Sequence, residues 1–193
     1  SSDIEVLNDI IQPLNPISCD DARKKYQMDH ALKIEVLQYQ LPSQFIHWDE
    51  EIIAFAQSCL LPEISLFEGI LNLIKKIYTE FQFKSGSTNI NTPLKTVLKE
   101  RKGVCQDFAH LLLEMLQIVG VPSRYVSGYI CPKNHDLRGE GATHAWVEVF
   151  LPTYGWIGID PTNNCFVSDR HVRLAVGKDF HDCTPVKGIY KGN

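Results

Sequence analysis

The spacing of apolar residues changes once along this chain, and that change limits the possible folds more than any other feature. Between residues 49 and 119 the apolar side chains recur every three or four positions, which is the spacing of one helix face. From Arg124 to Ile159 they alternate in steps of two, as in strands that bury one face. Helices followed by consecutive strands predict an α+β fold, with the helices packed on an antiparallel sheet, and argue against alternating βαβ units.

The first block contains four predicted helices. They cover residues 49–60, 65 to about 77, 93 to about 102 and 105 to about 119. Ser65 and Glu68 have the spacing of a capping box, and Thr92 with Pro93 that of an N-cap followed by proline. Gly103 is the expected stop of the third helix.

The second block consists of strands predicted at residues 124–130, 145–151, 156–159, 171–176 and 186–190. The turn sequence Pro152–Gly155 makes the second and third of these antiparallel neighbours. Counting outward from the turn places Val147 opposite Asp160, with His144 just beyond, so that His144 and Asp160 reach the same end of the strand pair. A further strand is predicted over residues 31–41, near the start of the chain.

The strongest chemical signal is a cysteine at a helix start. Cys105 follows Gly103 and opens the fourth helix, where unpaired backbone N–H groups and the positive end of the dipole favour a thiolate. A nucleophilic thiol also needs a base and a group that orients the base. His144 and Asp160 supply both. Singly they would be a buried thiol, a packed histidine and a turn-forming aspartate, but together they predict a catalytic triad.

Several segments resemble bacterial proteins of the transglutaminase-like superfamily. The segment 103–110 (GVCQDFAH) resembles the nucleophile motif, and 121–129 resembles its continuation. The segment 143–149 (THAWVEV) is similar to the histidine motif and 155–164 (GWIGIDPTNN) to the aspartate motif; the tail from 170 to 192 is also similar. The resemblance runs from about residue 41 to the end, and its motifs arrive in the family's order.

This resemblance implies a papain-like α+β core in which Cys105 is the nucleophile, His144 the base and Asp160 the orienting acid. The histidine follows the cysteine by 39 residues here, whereas papain-type proteases separate the two by more than about a hundred. It further implies a catalytic domain over residues 41–193. Residues 1–40 are then an N-terminal extension, with an upstream β-rich domain as its candidate origin.

Further site residues are predicted around the triad. The oxyanion hole would use the backbone N–H of Cys105 and the side chain of Gln82. Trp146 and Trp156 are candidates for the walls of a substrate cleft, with core packing as the alternative for both. The polar loop over residues 131–142, which contains two glycines, is a candidate lid.

Composition and charge limit the classes of partner that the protein is expected to bind. A net charge of −4 gives no basic footprint for nucleic acid, and no apolar run approaches the roughly 20 residues that span a bilayer. Six scattered cysteines without a C-x-x-C motif predict reduced thiols and a cytoplasmic protein without a leader peptide. The potential metal ligands occur as isolated pairs, so neither a metal nor another cofactor is expected. The oligomeric state is left open.

The expected chemistry is acyl transfer on a peptide or carboxamide bond through a thioester, with a peptide or protein as the substrate. Water as the acceptor makes a cysteine protease or amidase, which we prefer, and an amine makes a transglutaminase. A non-catalytic peptide-binding module on the same fold is the alternative from another class. A thiol-rich structural module is a third, weaker alternative, and it predicts that Cys105 is buried and inert.

Overall fold

The computed structural model describes residues 16–131, 137–152 and 154–184. Its helices are α1 (Cys19–Met28), α2 (His30–Val36), α3 (Glu50–Gln57), α4 (Leu66–Glu80), α5 (Leu94–Glu100) and α6 (Cys105–Ile118), with a 3₁₀ turn at Leu37–Gln40. Its strands are β1 (Gln82–Phe83), β2 (Lys102–Gly103), β3 (Ser123–Ile130), β4 (Thr143–Leu151), β5 (Gly155–Asp160), β6 (Cys165–Phe166) and β7 (His171–Gly177). None of the helices described in these ranges is long and apolar enough to cross a bilayer.

The main sheet has five strands in the order β6-β5-β4-β3-β7, and every neighbouring pair is antiparallel. A separate parallel ladder joins the two-residue strands β1 and β2. Helices precede the sheet in the chain and pack against it, which confirms the predicted α+β class. The predicted strand over residues 186–190 lies outside the described residues.

Helix α6 runs through the centre of the fold. It packs between the sheet strands β3 and β4 on one side and helices α3, α4 and α5 on the other. It is therefore apolar around most of its circumference, as expected for a helix enclosed by protein. Leu111, Leu112 and Met115 are fully buried, and each such side chain contributes about 1.5–3 kcal/mol. The residue at the start of α6 is consequently held in place by the whole core.

The segment over residues 31–41, predicted as a strand, is helical instead. The Oδ1 atom of Asp29 accepts a hydrogen bond from the Leu32 backbone N–H at 3.1 Å, and this cap favours the helical start of α2. Of the apolar residues that suggested a strand, Val36 is buried and Ile34 is exposed. Nearby, the Tyr26 hydroxyl donates to the Phe150 carbonyl at 2.5 Å, which ties α1 to the sheet. The origin of residues 1–40 in a β-rich domain stays a prediction.

Three details at helix ends differ from the sequence prediction. Ser65 precedes α4, but its side chain makes no capping hydrogen bond. Pro93 occupies the N-cap of α5, while the Thr92 hydroxyl accepts from the Asn89 backbone N–H in the preceding turn. Arg101, in the left-handed conformation (φ 53°), ends α5 in place of Gly103. Because Arg101 already makes the turn, the chain can continue into β2.

Candidate active site

The N-terminus of α6 is fixed by contacts on both sides of the predicted nucleophile. Cys105 is the first residue of the helix and is partly buried. Before it, the Lys84 backbone N–H donates to the Gly103 carbonyl at 2.9 Å, which joins β1 to β2. After it, the Asp107 carboxylate accepts from the Val104 backbone N–H at 2.8 Å and from the Thr88 hydroxyl at 2.5 Å. Asp107 thus caps the helix and anchors the preceding loop.

His144 and Asp160 lie in contact, as the sequence predicted, but the register between β4 and β5 differs from the predicted one by one residue. Leu151 pairs with Gly155, so Val147 lies opposite Ile159 and Asp160 comes one position later. The Nε2 atom of His144 lies 2.8 Å from Oδ2 of Asp160, and neither side chain has any exposed surface. This orientation leaves Nδ1 as the imidazole nitrogen available to a thiol.

Asp160 is surrounded by hydrogen-bond donors. Its Oδ1 atom accepts from the backbone N–H groups of Thr162 (2.8 Å) and Asn163 (3.3 Å). Its Oδ2 atom accepts from His144, from Asn163 Nδ2 at 2.7 Å and from His171 Nε2 at 3.4 Å. Burial opposes ionisation of this carboxyl, but the hydrogen bonds from His144 and His171 outweigh it and hold its pKa well below the usual range. Asp160 is therefore a buried carboxylate.

The imidazole of His144 is biased toward its protonated form. Burial alone would lower its pKa, but the hydrogen bond to Asp160 and the interaction with the Cys105 side chain together raise the pKa to about 10. The structure therefore joins His144 directly to Asp160 and places the Cys105 side chain close enough to interact with the imidazole, while no described residue hydrogen-bonds Nδ1. A charged imidazole beside a sulfur is the arrangement that favours a thiolate.

The other predicted site residues lie in three different places. Gln82 is exposed and lies on β1, where it pairs with Lys102, three residues before Cys105. Trp146 is fully buried, and its ring packs edge-on against His171 with a centroid distance of 5.3 Å. A side chain without exposed surface lines no open cleft, so Trp146 has the packing role that was its alternative.

Trp156 also differs from its predicted place. It pairs with Phe150 on β4, six residues from His144 and thus about 20 Å away along the strand. Its ring packs against Phe150 and Tyr39 and lies 4.0 Å from the Arg124 guanidinium. Trp156 therefore lies toward the end of the β4–β5 pair that is remote from His144.

A cavity of about 290 Å³ opens at the first turns of α6 instead. Gln106, Asp107 and His110 line one side of it, and residues 90–94 with Phe45 line another. His110 supports this wall as a neutral imidazole, because burial lowers its pKa to about 4 and its Nε2 atom accepts from the Phe180 backbone N–H at 3.1 Å. One lining residue, Gln106, directly follows Cys105 in the sequence. Both apolar and amide side chains line the cavity.

A second cysteine and a second histidine adjoin the same aspartate. Ligand atoms of Asp160, Cys165 and His171 all lie within 4.8 Å of one another, a spacing compatible with a metal ion. Hydrogen bonding accounts for the group: Asp160 is satisfied as described above, and His171 Nδ1 accepts from the Ser168 backbone N–H at 3.2 Å. Burial, with the nearby Asp160 charge, raises the pKa of Cys165 to about 12, so this sulfur remains a thiol.

Sequence reasoning did not single out Asn163 or His171, although both contact Asp160. Asn163 lies in the turn that directly follows β5, inside the segment recognised as the aspartate motif. His171 begins β7 much as His144 lies near the start of β4. Each is a polar residue at the end of a strand, and this position was the sequence signal that could have identified it. The nearness of β7 to Asp160 could not be predicted from the spacing of residues in the sequence.

Similarity to known proteins identifies the family of this chain. The family model described as the transglutaminase-like superfamily matches residues 53–161, and the chain belongs to that superfamily. An uncharacterized protein of Mycobacterium tuberculosis is 40% identical over 147 residues, which are 72% of this chain and 47% of that protein. The chain spans about half the length of such curated relatives.

The chain is also similar to one protein of known structure and to one named enzyme. The crystal structure of a Cytophaga hutchinsonii protein, described as a candidate cysteine protease, has a TM-score of 0.66 and 27% identity, over 78% of this chain and 49% of that one. A protein-glutamine gamma-glutamyltransferase of Pseudomonas aeruginosa is 37% identical over 67 residues, 32% of this chain and 10% of that protein. The predicted family resemblance is thereby confirmed.

Proposed function

We propose that this protein is a cysteine-dependent acyl-transfer enzyme in which Cys105 is the nucleophile, His144 the acid and base, and Asp160 the orienting carboxylate. One observation carries the proposal: the buried Asp160 holds Nε2 of His144 at 2.8 Å and leaves Nδ1 for the partly buried Cys105. An orienter, a base and a nucleophile in that order are what thiol catalysis requires.

The reaction begins with the Cys105 thiolate and the His144 imidazolium. The sulfur attacks the carbonyl carbon of a peptide or carboxamide and the carbonyl electrons move to its oxygen. The tetrahedral intermediate collapses to a thioester as His144 Nδ1–H gives its proton to the departing nitrogen. His144 then takes a proton from water or an amine, which attacks the thioester and releases the thiolate.

Charge on the intermediate's oxygen needs nearby donors. The backbone N–H of Cys105 lies in the first turn of α6, where N–H groups have no acceptor within the helix. Gln82 is the proposed second donor, because the β1–β2 ladder holds its backbone beside Lys102, three residues before the nucleophile. The cavity lined by Gln106 and residues 90–94 is the proposed pocket for a substrate side chain.

Water is the acceptor that we favour, which makes the protein a cysteine protease or amidase acting on a peptide or protein. The similarity to the candidate cysteine protease of Cytophaga hutchinsonii supports this choice over most of the chain. An amine acceptor is the second candidate, supported by the shorter match to the Pseudomonas aeruginosa gamma-glutamyltransferase. The cytoplasm is the proposed compartment, since the nucleophile must stay reduced.

The test is a peptide library incubated with the protein, with and without a labelled primary amine, followed by mass spectrometry of products. Cleaved peptides or released ammonia, absent with Cys105→Ser, are the expected result. Products that carry the amine would overturn the preference for hydrolysis. No product, together with alkylation of Cys105 no faster than that of the exposed Cys131, would overturn the enzyme proposal in favour of a peptide-binding module.

A further inference from the structure

The described part of the loop before β4, residues 137–142, covers the imidazole of His144. Gly139 has a φ of 83° and lies so close that a Cβ added there would be 2.7 Å from His144 Nδ1. This is the imidazole nitrogen that does not contact Asp160, and the proposed mechanism assigns the proton transfers to it. The loop therefore packs directly against the side of the imidazole that carries Nδ1.

One side chain joins this loop to the orienting aspartate. The Asn163 Oδ1 atom accepts from the Arg138 backbone N–H at 2.7 Å, and its Nδ2 atom donates to the Arg138 carbonyl at 3.2 Å. The same Nδ2 donates to Asp160 Oδ2 at 2.7 Å. Only a carboxamide supplies one acceptor and two donors at this position, and these partners fix which amide atom is oxygen.

Other contacts hold the loop without reaching the triad. Arg170 pairs with the Glu140 carboxylate, and the Arg138 guanidinium lies 4.1 Å from the centre of the Tyr78 ring. Neither contact involves Asp160 or His144. Among the described residues, Asn163 is the one whose hydrogen bonds reach both the loop backbone and the carboxylate.

Building on the proposed function, we propose that Asn163 is a positioning residue that couples closure of the loop 137–142 over His144 to the orientation of Asp160. When the loop lies on the imidazole, Arg138 holds the Asn163 amide so that Nδ2 points at Oδ2. When the loop lifts, that amide can rotate, and Asp160 loses a charge-assisted hydrogen bond. The active arrangement of the triad is thus favoured when the loop is closed.

The test compares the full chain with Asn163→Ala and with the isosteric Asn163→Asp, which loses both donors but keeps an acceptor for Arg138. Asn72→Ala, on the exposed face of α4, is the matched control. The first readout is the iodoacetamide rate constant of Cys105 from pH 5 to 9, by mass spectrometry. The second is the amide hydrogen exchange rate of Arg138, which does not depend on catalysis.

For Asn163→Ala we expect the Cys105 rate at pH 6 to fall about tenfold to a hundredfold and the midpoint of its pH profile to move upward. Arg138 exchange should become roughly tenfold faster. Asn163→Asp should lose Cys105 reactivity to a similar degree, with Arg138 better protected than in Asn163→Ala. The control should match the unmodified protein in every measurement.

The outcomes that overturn the inference are distinct from failure of the enzyme proposal. If the unmodified protein shows selective Cys105 labelling and Asn163→Ala keeps the same pH profile, Asn163 does not position the triad. If Arg138 exchange is unchanged, Asn163 does not hold the loop. If Cys105 in the unmodified protein reacts no faster than Cys131, the proposed function itself fails, and the positioning role fails with it.

Discussion

Two cysteine–histidine pairs adjoin one aspartate, and they differ in which group of the pair contacts the carboxylate. Cys105 and His144 form the first pair, and Cys165 and His171 the second; both histidines contact Oδ2 of Asp160. Cys105 begins the 14-residue helix α6, whereas Cys165 lies on the two-residue edge strand β6, directly opposite Asp160. The two pairs therefore consist of the same residue types. They differ in the order of the groups around Asp160 and in the secondary-structure element that carries the cysteine.

The two pairs differ in the group that lies beside each sulfur. In the first pair the imidazole, which has a raised pKa, contacts the carboxylate and also interacts with the Cys105 side chain. In the second pair the thiol faces the carboxylate itself, and burial with that negative charge raises the pKa of Cys165 to about 12. A Cys–His–Asp set identified by distance alone would not separate these two cases.

The largest contrast is expected from replacing each sulfur. Cys105→Ser should lower kcat/KM for any cleaved peptide by at least about 10³-fold, because the hydroxyl is a much weaker nucleophile in the same place. Cys165→Ser should change it by less than about threefold, since a neutral thiol there acts only through packing and weak hydrogen bonding. Steady-state kinetics on both variants checks this. Equal losses would mean that the second pair takes part in the chemistry.

Replacing each histidine should also lower kcat/KM more in the first pair than in the second, by a smaller factor than replacing each sulfur. His144→Ala should lower kcat/KM by about 10²–10⁴-fold, the usual contribution of a general acid and base. His171→Ala removes one donor from Asp160, and we expect a loss of about tenfold or less. Both variants should be checked by circular dichroism, because both side chains are fully buried. A larger effect from His171 would reverse the assignment of the base.

The pH dependence of stability gives the third contrast. The pKa of His144 is raised to about 10 from its ordinary 6.5, so its stabilising contribution is complete below about pH 6.5 and is lost as the pH rises through 10. The difference in unfolding free energy between the unmodified protein and His144→Gln should therefore shrink by a few kcal/mol across this window. Urea denaturation at pH 6, 8 and 10 measures it. A constant difference would show that the imidazole is neutral in the folded protein.

Much of this site could be predicted from the sequence because its signals are local. The helix start at Cys105, the alternating strand after His144 and the hairpin turn before Asp160 each lie within a short segment. The error of one residue in the β4–β5 register arose because Gly155 belongs to the strand and pairs with Leu151, so the turn is shorter than it was taken to be.

The features that could not be predicted depend on contacts between distant elements. His171 reaches Asp160 although β7 pairs with β3 and not with β5, an arrangement that no residue spacing encodes. The helical segment after Asp29 was predicted as a strand because its apolar residues were weighed without the cap that starts it. Trp146 and Trp156 were grouped by residue type, yet they lie at opposite ends of the sheet.

The order of the elements along the chain also has a consequence during synthesis. Cys105 leaves the ribosome 39 residues before His144 and 55 before Asp160. Its helix can form early, but the imidazole arrives only with β4, and the carboxylate only when β5 has paired with it. A nascent chain that ends before β4 and β5 thus lacks both the imidazole and the carboxylate that the proposed mechanism needs to activate the Cys105 thiol.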